Sequence, residues 1–233
     1  MSNGTIENRD QFLETIAQKL GHAAGEAVTT PEWKHQPQWA VYENKTPEQL
    51  VEIIKKASES IHTQVVETNS ADLAESLNHL IDSYGGGAIL ATSDKRFSEW
   101  GLSDVLEARH VAIWDTLKGH ENIDLAAHAN IGLSICDVML AESATAGLFN
   151  DKDKARSVSL LPVTSIVLVP KSTIVPRLTQ AMALVQKQVD ADESPAPYIN
   201  FISGPSNSAD IEMRLVVGVH GPVKVAYLII NDR

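Results

Sequence analysis

The run IGLSICDVMLA, residues 131–141, decides the fold class of this chain, and two later runs resemble it. They are VTSIVLV at residues 163–169 and VKVAYLII at residues 223–230. In all three runs apolar residues follow one another almost without interruption, instead of alternating with polar ones. That pattern is typical of strands covered by helices on both faces, as in parallel sheets. We therefore predict that each run forms one strand and that the three strands lie at the centre of a sheet.

Strand and helix patterns alternate along the rest of the chain. Residues 61–67 and 88–91 have strand patterns, and the helical stripe between them, residues 73–84, is closed by Gly85-Gly86-Gly87. This order of elements is a βαβ unit, in which the two strands are parallel. Further patterns predict strands at 111–114 and 199–202 and helices at 123–129 and 178–189. The predicted fold class is α/β, with a mainly parallel central sheet flanked by helices.

The N-terminal part of the chain has its own pattern. Apolar positions recur at helical spacing between residues 13 and 20, and residues 21–42 are rich in Gly, Thr, Pro and His. Thr46 then begins the sequence TPEQ, which combines an N-cap, a proline in the first turn and a capping-box glutamine. We therefore divide the chain into an N-terminal helix with a wrapping segment, residues 1–45, and an α/β domain, residues 46–233.

Charge and cysteine content exclude several classes of protein. The 233-residue chain has a formal net charge of −11 at pH 7, which disfavours binding to nucleic acids and to anionic membranes. It contains one cysteine, Cys136. One thiol forms neither an intrachain disulfide nor a cysteine-ligated iron–sulfur site. His120, Asp124 and His128 share one face of a predicted helix. This face is compatible with a metal site, but an ordinary exposed surface with such residues is commoner. With no secretory pattern and no membrane span, we expect a cytoplasmic protein without metal or cofactor of its own.

The segment FISGPSNSADIEMRLVVGVHGP, residues 201–222, contains two glycine-rich turns separated by polar residues. Glycine permits sharp turns and leaves backbone amides uncovered, which suits the binding of a small anion. A helix that begins after Ser206 or Asn207, with Asp210 as a weak capping-box partner, would aim its free amides at the same place. The alternative is two purely structural turns and a capped helix. The candidate ligand-binding residues are Gly204, Ser206, Asn207, Asp210, Gly218, His220 and Gly221.

The run AESATAGLF, residues 141–149, places small and polar residues after an apolar strand and predicts a sheet end or a tight hairpin. Ligands of open α/β sheets bind outside the carboxyl ends of the strands. Glu142 is therefore a candidate catalytic base, nucleophile or hydroxyl binder. The alternative is an exposed hairpin acid without a chemical role. Further ligand-binding candidates are Ser143 and Thr145 in the hairpin, and Arg156 and Lys171, which lie beside predicted strands and can clamp a carboxylate.

Three stretches together resemble the lactate utilization protein C family, whose members contain a LUD domain. They are GLSICDVMLAESATAGLF, RSVSLLPVTSIVLVPKSTIVPRL and ISGPSNSADIEMRLVVGVHGPVKVAYLIIND, in that order between residues 132 and 232. The family's hairpin motif is Ala-Glu-Thr-Gly-Thr, and this chain has Ser143 and Ala144 at the Thr and Gly positions. That departure leaves the catalytic role of the hairpin open. The resemblance implies a fold similar to that of sugar-phosphate isomerases, CoA transferases and 5-formyltetrahydrofolate cyclo-ligases.

The same resemblance implies a role in the oxidation of L-lactate to pyruvate, which lets lactate serve as a carbon source. In that system, cysteine-rich sister proteins carry the iron–sulfur clusters. Two hypotheses follow. In the first, which we favour, the chain is a cluster-free accessory subunit that works with these iron–sulfur partners. In the second, it is a stand-alone enzyme resembling a CoA transferase or cyclo-ligase, which acts on a small anionic substrate through Glu142.

Overall fold

The computed structural model describes residues 6–27, 29, 31–191, 193–209 and 215–233 of the chain. The chain divides into two compact units, residues 1–36 and residues 37–233. In the first unit, helix α1 (Arg9–Leu20) ends at Gly21, whose φ of 77° is the left-handed conformation that glycine adopts readily after a helix. The domain boundary that we place after residue 45 stays a prediction.

The second unit alternates helices and strands as the sequence predicts. The helices are α2 (Pro47–Ser60), α3 (Leu73–Ser83), α4 (Arg96–Glu99), α5 (Ser103–Ala108), α6 (His120–His128), α7 (Ser157–Leu160) and α8 (Leu178–Asp190). The strands are β1 (Thr63–Thr68), β2 (Ile89–Ala91), β3 (Ala112–Ile113), β4 (Ile131–Ile135), β5 (Val138–Leu140), β6 (Thr145–Asn150), β7 (Thr164–Pro170), β8 (Ile174–Val175), β9 (Tyr198–Ile202), β10 (Asn207–Ala209), β11 (Leu215–Val217) and β12 (Lys224–Ile230). Within the described residues, no helix combines the length and the apolar composition that crossing a membrane requires.

A six-stranded sheet with every neighbouring pair parallel forms the centre of this unit, in the order β1-β12-β7-β4-β2-β3. The three apolar runs supply its adjacent central strands β12, β7 and β4, so the predicted α/β fold class is confirmed. Both faces of the sheet are covered. In β12, Ala226 and Leu228 belong to the core on the α3 side, whereas Val225 and Tyr227 belong to the core on the α2 side. Burial on both faces is the reason why these runs do not alternate.

Helix α2 begins as its sequence predicts. Oγ1 of Thr46 accepts a hydrogen bond of 3.3 Å from the N–H of Gln49, and Oε1 of Gln49 accepts one of 3.1 Å from the N–H of Thr46. This reciprocal pair is a capping box, and Pro47 follows in the first turn. Such a cap contributes about 1 kcal/mol and fixes the register in which Leu50 and Ile54 enter the core.

The first apolar run does not form a single strand, so that prediction is wrong. It divides at Cys136 and Asp137 into β4, in the six-stranded sheet, and β5, in a four-stranded sheet ordered β8-β5-β6-β9. The N–H of Cys136 still donates to Leu168 of β7, at 2.8 Å, but the N–H of Asp137 donates to Gly147 of β6, at 2.9 Å. Where the chain changes sheets, the carboxylate of Asp137 has its partners outside the six-stranded sheet: Arg96, Lys154 and the N–H of Phe149.

The prediction of a helix that begins after Ser206 or Asn207 is also wrong. Asn207 begins β10, which pairs antiparallel with β11 in the register Asn207 to Val217 and Ala209 to Leu215. Pairing with this strand of β-favouring residues outweighs the weak capping box, and at the described residues 207–209 no helix begins. Asp210, the expected capping partner, lies outside the described residues.

Gly132 of β4 leaves no room for a side chain. A Cβ atom there would overlap the backbone oxygen of Val158 in α7 and would lie 2.9 Å from Cγ of Pro162. We expect Gly132→Ala to lower the free energy of unfolding by about 3 kcal/mol, because an overpacked core displaces its own backbone. Denaturant unfolding followed by circular dichroism measures this loss.

Ser134, two residues further along the same strand, provides the matched control. Its buried hydroxyl has no hydrogen-bond partner among the described residues. Ser134→Ala removes that oxygen without breaking a contact between described residues and without adding volume, so the variant should lose much less stability than Gly132→Ala. Equal destabilisation by Gly132→Ala and Ser134→Ala would contradict the packing of α7 on β4.

Candidate functional site

The turn between β5 and β6 holds the predicted catalytic residue. Oε2 of Glu142 accepts a hydrogen bond of 2.6 Å from Nε of Arg177. The two side chains are 40% and 29% exposed, so solvent screens the ion pair and its contribution to stability is at most about 1 kcal/mol. The surroundings of Glu142 are those of a half-exposed acid that already has a partner.

Ser143 and Thr145 begin a chain of hydroxyl groups at this hairpin. Oγ of Ser143 lies 2.6 Å from Oγ1 of Thr145, which also hydrogen-bonds to Oγ of Ser203 after β9. Between them, Ala144 has a φ of 47°. Left-handed backbone of this kind is strained for alanine and unstrained for glycine. The hairpin therefore has, at Ala144, a conformation that glycine would adopt at lower cost.

Tyr227 of β12 connects this hairpin to the first glycine turn. Its hydroxyl donates to the backbone oxygen of Ala144, at 2.9 Å, and accepts from the N–H of Gly204, at 3.4 Å. Burial raises the pKa of the Tyr227 hydroxyl above its usual value, so the group keeps its proton and its role as a donor. One buried side chain thus positions both the Glu142 hairpin and Gly204.

The two glycine turns contact each other through Ser206. The N–H of Ser206 donates to the backbone oxygen of Pro222 at 2.9 Å, and its own backbone oxygen accepts from the N–H of Gly218 at 2.8 Å. Its Oγ accepts from the N–H of His220 at 3.3 Å. Because these amides have protein acceptors, they are not available to an anion without a rearrangement of the turns.

Both turns lie at the amino edge of the six-stranded sheet. A Cβ atom on Gly204 would lie 2.6 Å from the backbone oxygen of Ile61, and one on Gly221 would lie 3.5 Å from that of Leu160. Ile61 precedes β1 and Leu160 precedes β7, so the turns pack where these strands begin. Ligands of open α/β sheets bind at the opposite edge. The ligand-binding role of these turns stays a prediction.

Arg156 and Lys171 have partners of their own. Nζ of Lys171 lies 3.3 Å from Oε1 of Glu48 in α2. The guanidinium of Arg156 lies over the ring of Tyr198, 5.4 Å from its centroid, and both residues line a cavity of about 500 Å³ that also includes Trp114. These contacts are distinct from the Glu142–Arg177 pair, and the role of Arg156 and Lys171 in clamping a carboxylate stays a prediction.

A crevice at the carboxyl edge was not identified from the sequence. The strands β4 and β2 are neighbours in the sheet, and the connections that follow them leave in opposite directions. After β2 the chain continues to β3 on one side, and after β4 it continues towards β7 on the other side. Such a switch point leaves space where the connections diverge, and ligands of α/β sheets bind there. Residues 92–96 follow β2, and Cys136 and Asp137 follow β4. Polar residues directly after two buried strands are the signal in the sequence that could have located this crevice.

Arg96 is the central side chain of this crevice. Nε of Arg96 lies 3.0 Å from each carboxylate oxygen of Asp94, and its Nη2 donates to Oδ1 of Asp137 at 2.8 Å. Nζ of Lys154 lies 3.5 Å from the same oxygen of Asp137. Burial works to raise the pKa of Asp94, but the hydrogen bonds from Arg96 outweigh it and hold that pKa below its usual value. The carboxylate therefore stays charged and fixed.

The crevice has a volume of about 320 Å³, at the lower end of the range for small-molecule sites. Its lining combines acidic and basic groups with one serine: Ser93, Asp94, Lys95, Arg96, Asp137, Asp151, Asp153 and Lys154. Within the described part of the chain, no group of three or more His, Cys, Asp and Glu side chains has the geometry of a metal site. The arrangement therefore suits a small polar molecule, held by hydrogen bonds and ion pairs.

Cys136 lies beside the crevice but points into the core. The residue is fully buried, and its Sγ donates to the backbone oxygen of Val138 at 3.0 Å. Burial raises the pKa of the thiol to about 12, and the neighbouring Asp137 acts in the same direction. Since the thiolate is the form that ligates metals and attacks electrophiles, Cys136 is an inert thiol at neutral pH.

Comparison with known proteins identifies relatives that match along their whole length. This chain is 50% identical to lactate utilization protein C of Bacillus licheniformis, 48% identical to that of Geobacillus sp. strain WCH70 and 45% identical to that of Bacillus subtilis strain 168. Each match covers 100% of this chain and 100% of the relative. These matches include both halves of the chain, the N-terminal part as well as the sheet.

Two further comparisons agree with these relatives. A crystal structure of a DUF162 family protein from Deinococcus radiodurans has a TM-score of 0.58 and covers 80% of this chain and 99% of its own. At 15% identity this likeness supports the fold alone. The LUD domain family matches residues 51–230, which contain all of the strands described above. The chain therefore belongs to the lactate utilization protein C family, and residues 51–230 are its LUD domain.

Proposed function

We propose that this protein takes part in the oxidation of L-lactate to pyruvate, as a cluster-free subunit that works with iron–sulfur partner proteins in the cytoplasm. The observation that carries the proposal is its identity of 45–50%, along the whole length of both chains, with three relatives named lactate utilization protein C. Use of lactate as a carbon source begins with its oxidation, and pyruvate is the product of removing two electrons and two protons from it.

The state of Cys136 supports the division of labour in this proposal. Oxidation of a 2-hydroxy acid requires an electron acceptor, which cofactors supply in enzymes of this kind. Iron–sulfur clusters bind through several cysteine thiolates, and this chain has one cysteine, which is buried and protonated. The electrons therefore pass to a partner protein, and this subunit binds or positions a component of the reaction.

Loss of the protein should impair growth on L-lactate and spare growth on glucose or pyruvate. We expect this outcome because pyruvate enters metabolism after the proposed step, whereas lactate must pass through it. Growth curves of a deletion strain that has no second lactate dehydrogenase measure the effect, with the complemented strain as control. Normal growth of that deletion strain on L-lactate would refute the proposed function.

Glu142→Gln separates an accessory subunit from a stand-alone enzyme that uses Glu142. The substitution keeps the shape of the side chain and an oxygen that can accept from Arg177, but it removes the charge. We expect complementation of growth on L-lactate at the wild-type rate, as with Glu75→Gln, an exposed helix acid with 77% of its side chain accessible. A general base or nucleophile would lose about 100-fold or more in rate on the same change. A growth defect specific to Glu142→Gln would therefore favour the stand-alone enzyme.

The purified protein should remain colourless after anaerobic incubation with iron and sulfide.

The buried, protonated Cys136 should also react slowly with a thiol reagent in the native protein. In denaturant, one thiol per chain should react. Visible spectroscopy, iron analysis and a thiol assay at pH 8 measure these quantities, and Cys136→Ala is the blank for both. Iron in stoichiometric amount with cluster absorbance would contradict the cluster-free subunit.

A further inference from the structure

Three buried oxygen atoms with no hydrogen-bond partner among the described residues belong to side chains that line one small cavity beside the carboxyl-edge crevice. They are Oγ1 of Thr92 after β2, Oγ of Ser134 in β4 and Oδ1 of Asn150 at the end of β6, and these residues are 5%, 2% and 7% exposed. A buried polar group without a hydrogen bond costs about 1–3 kcal/mol. Three such atoms around one space indicate that something with hydrogen-bonding capacity occupies it.

The size of this inner cavity limits its occupant to a single oxygen-sized group. Its volume is about 10 Å³, close to the smallest space, roughly 10–15 Å³, that holds one water. Asp137 and Lys154 line both the inner cavity and the 320 Å³ crevice. The two spaces are therefore neighbours that share these two side chains as walls.

The orientation of Asn150 determines what this occupant must supply. Its Nδ2 donates to the backbone oxygen of Lys154 at 2.7 Å, which fixes the amide and leaves Oδ1 facing the cavity. That atom only accepts hydrogen bonds, whereas the hydroxyl groups of Thr92 and Ser134 both donate and accept. A hydroxyl group in the cavity would satisfy all three atoms. It can donate one hydrogen bond to Oδ1 of Asn150 and accept one each from the hydroxyls of Thr92 and Ser134.

Lys154 provides a cation that is poorly paired. Its Nζ lies 3.5 Å from Oδ1 of Asp137, the oxygen that already accepts from Arg96 at 2.8 Å. Oδ2 of Asp137 accepts from the N–H of Phe149 at 2.7 Å, so both oxygens of this carboxylate already have a donor. Among the described residues Lys154 has no other ion pair, and 23% of its side chain is accessible. A carboxylate in the crevice would give its ammonium group a partner of its own.

We propose that the crevice binds a small 2-hydroxy monocarboxylic acid, with the carboxylate on Lys154 and the hydroxyl in the cavity formed by Thr92, Ser134 and Asn150. The geometry indicates the class of ligand, and the identity of the acid as L-lactate rests on the function proposed above. The 2-hydroxy arrangement places the hydroxyl on the carbon next to the carboxylate, which suits two neighbouring spaces. The chain thereby holds the substrate, and the oxidation belongs to the partner.

The proposal includes a preference for the hydroxy acid over the oxo acid. The oxygen at C2 of pyruvate accepts hydrogen bonds but does not donate one, so it leaves Oδ1 of Asn150 unpaired. A site built for a hydroxyl discriminates strongly against an analogue that lacks the donor. We expect L-lactate to bind at least about tenfold more tightly than pyruvate, and acetate and inorganic phosphate to bind more weakly still.

Isothermal titration calorimetry of the full chain with L-lactate, pyruvate and phosphate tests this proposal, with the side-chain amide signals of Asn150 in NMR spectra as a second readout. Lys154→Gln should weaken L-lactate binding at least about tenfold. Lys152→Gln is the matched control, because Lys152 lies in the same loop, pairs with Asp153 and is 76% exposed, and it should bind as the wild type does. Circular dichroism melts establish that both variants fold.

Thr92→Val tests the inner cavity even if Lys154→Gln fails to fold. The substitution keeps the shape of the side chain and removes a hydroxyl without a partner, so it should preserve stability and weaken L-lactate binding several-fold. Absence of saturable L-lactate binding at millimolar concentrations would overturn the proposal, leaving water as the occupant of the cavity. Binding that is equal for L-lactate and phosphate, or unchanged in both Lys154→Gln and Thr92→Val, would overturn it as well.

These outcomes are independent of the growth experiment. A deletion strain that fails on L-lactate, together with a purified protein that does not bind it, would retain the accessory role and reject the binding site. Binding of 2-hydroxy acids with normal growth of the deletion strain would have the opposite meaning: the site is real and serves a different hydroxy acid.

Discussion

The ion pair between Arg96 and Asp137 is the contact on which the arrangement of the two sheets depends. Asp137 stands where the chain leaves the six-stranded sheet, and its second oxygen accepts from Phe149 in the four-stranded sheet. Arg96 also donates to the backbone oxygen of Cys136 at 3.2 Å, so it holds the last residues of β4 from two directions. The side chains are 21% and 15% exposed. Loss of one partner from a pair at this depth costs about 3 kcal/mol or more, because the other charge stays behind in a poorly solvated place.

The same ion pair gives the carboxyl edge its chemistry. Asp94 and Asp137 both bind Arg96, and Asp137 also has Lys154 at 3.5 Å, so these two acidic groups are balanced by two basic groups. The edge is therefore less repulsive towards a carboxylate than the net charge of −11 suggests. Long-range repulsion from the rest of the surface is screened within about 8 Å at physiological ionic strength, so the local pairs determine what can bind.

The sequence predicts those features of the fold that depend on neighbouring residues or on burial. The capping box at Thr46 is local, and the continuous apolar run of β12 follows from its helices on both sides. The division of residues 131–141 was not predictable, since it depends on Arg96, 41 residues before Asp137. The helix expected after Ser206 fails for a different reason, because the nearby strand β11 (Leu215–Val217) competes for these residues as a strand partner. Arg96 is not visible in a short window of sequence around Asp137, whereas β11 lies close to β10 and offers a hairpin as the alternative to a helix.

Prediction of the candidate site was limited by strand order. Glu142 and the glycine turns attract attention because their composition is unusual, yet the turns lie at the amino edge and Glu142 has Arg177 as a partner. The crevice instead requires β4 to lie beside β2 rather than beside β3, and the hydrophobic pattern of these strands is compatible with either neighbour. Thr92, Ser134 and Asn150 become informative only after this order brings them together.

The position of β12 has a consequence for how the sheet assembles. In chain order it is the last of the six strands, but it lies inside the sheet between β1 and β7, with residues 63–68 of β1 opposite residues 225–230. Until β12 arrives, β1 has no neighbour in this sheet, and β7 exposes an unpaired edge made almost wholly of apolar residues. Parallel pairings between such distant segments form slowly, and partly assembled sheets of this kind are prone to aggregate. Newly made chains therefore depend on rapid pairing of β12 with β1 and β7. A substitution near residue 225 that prevents this pairing would separate strands in the middle of the sheet and not only at its edge.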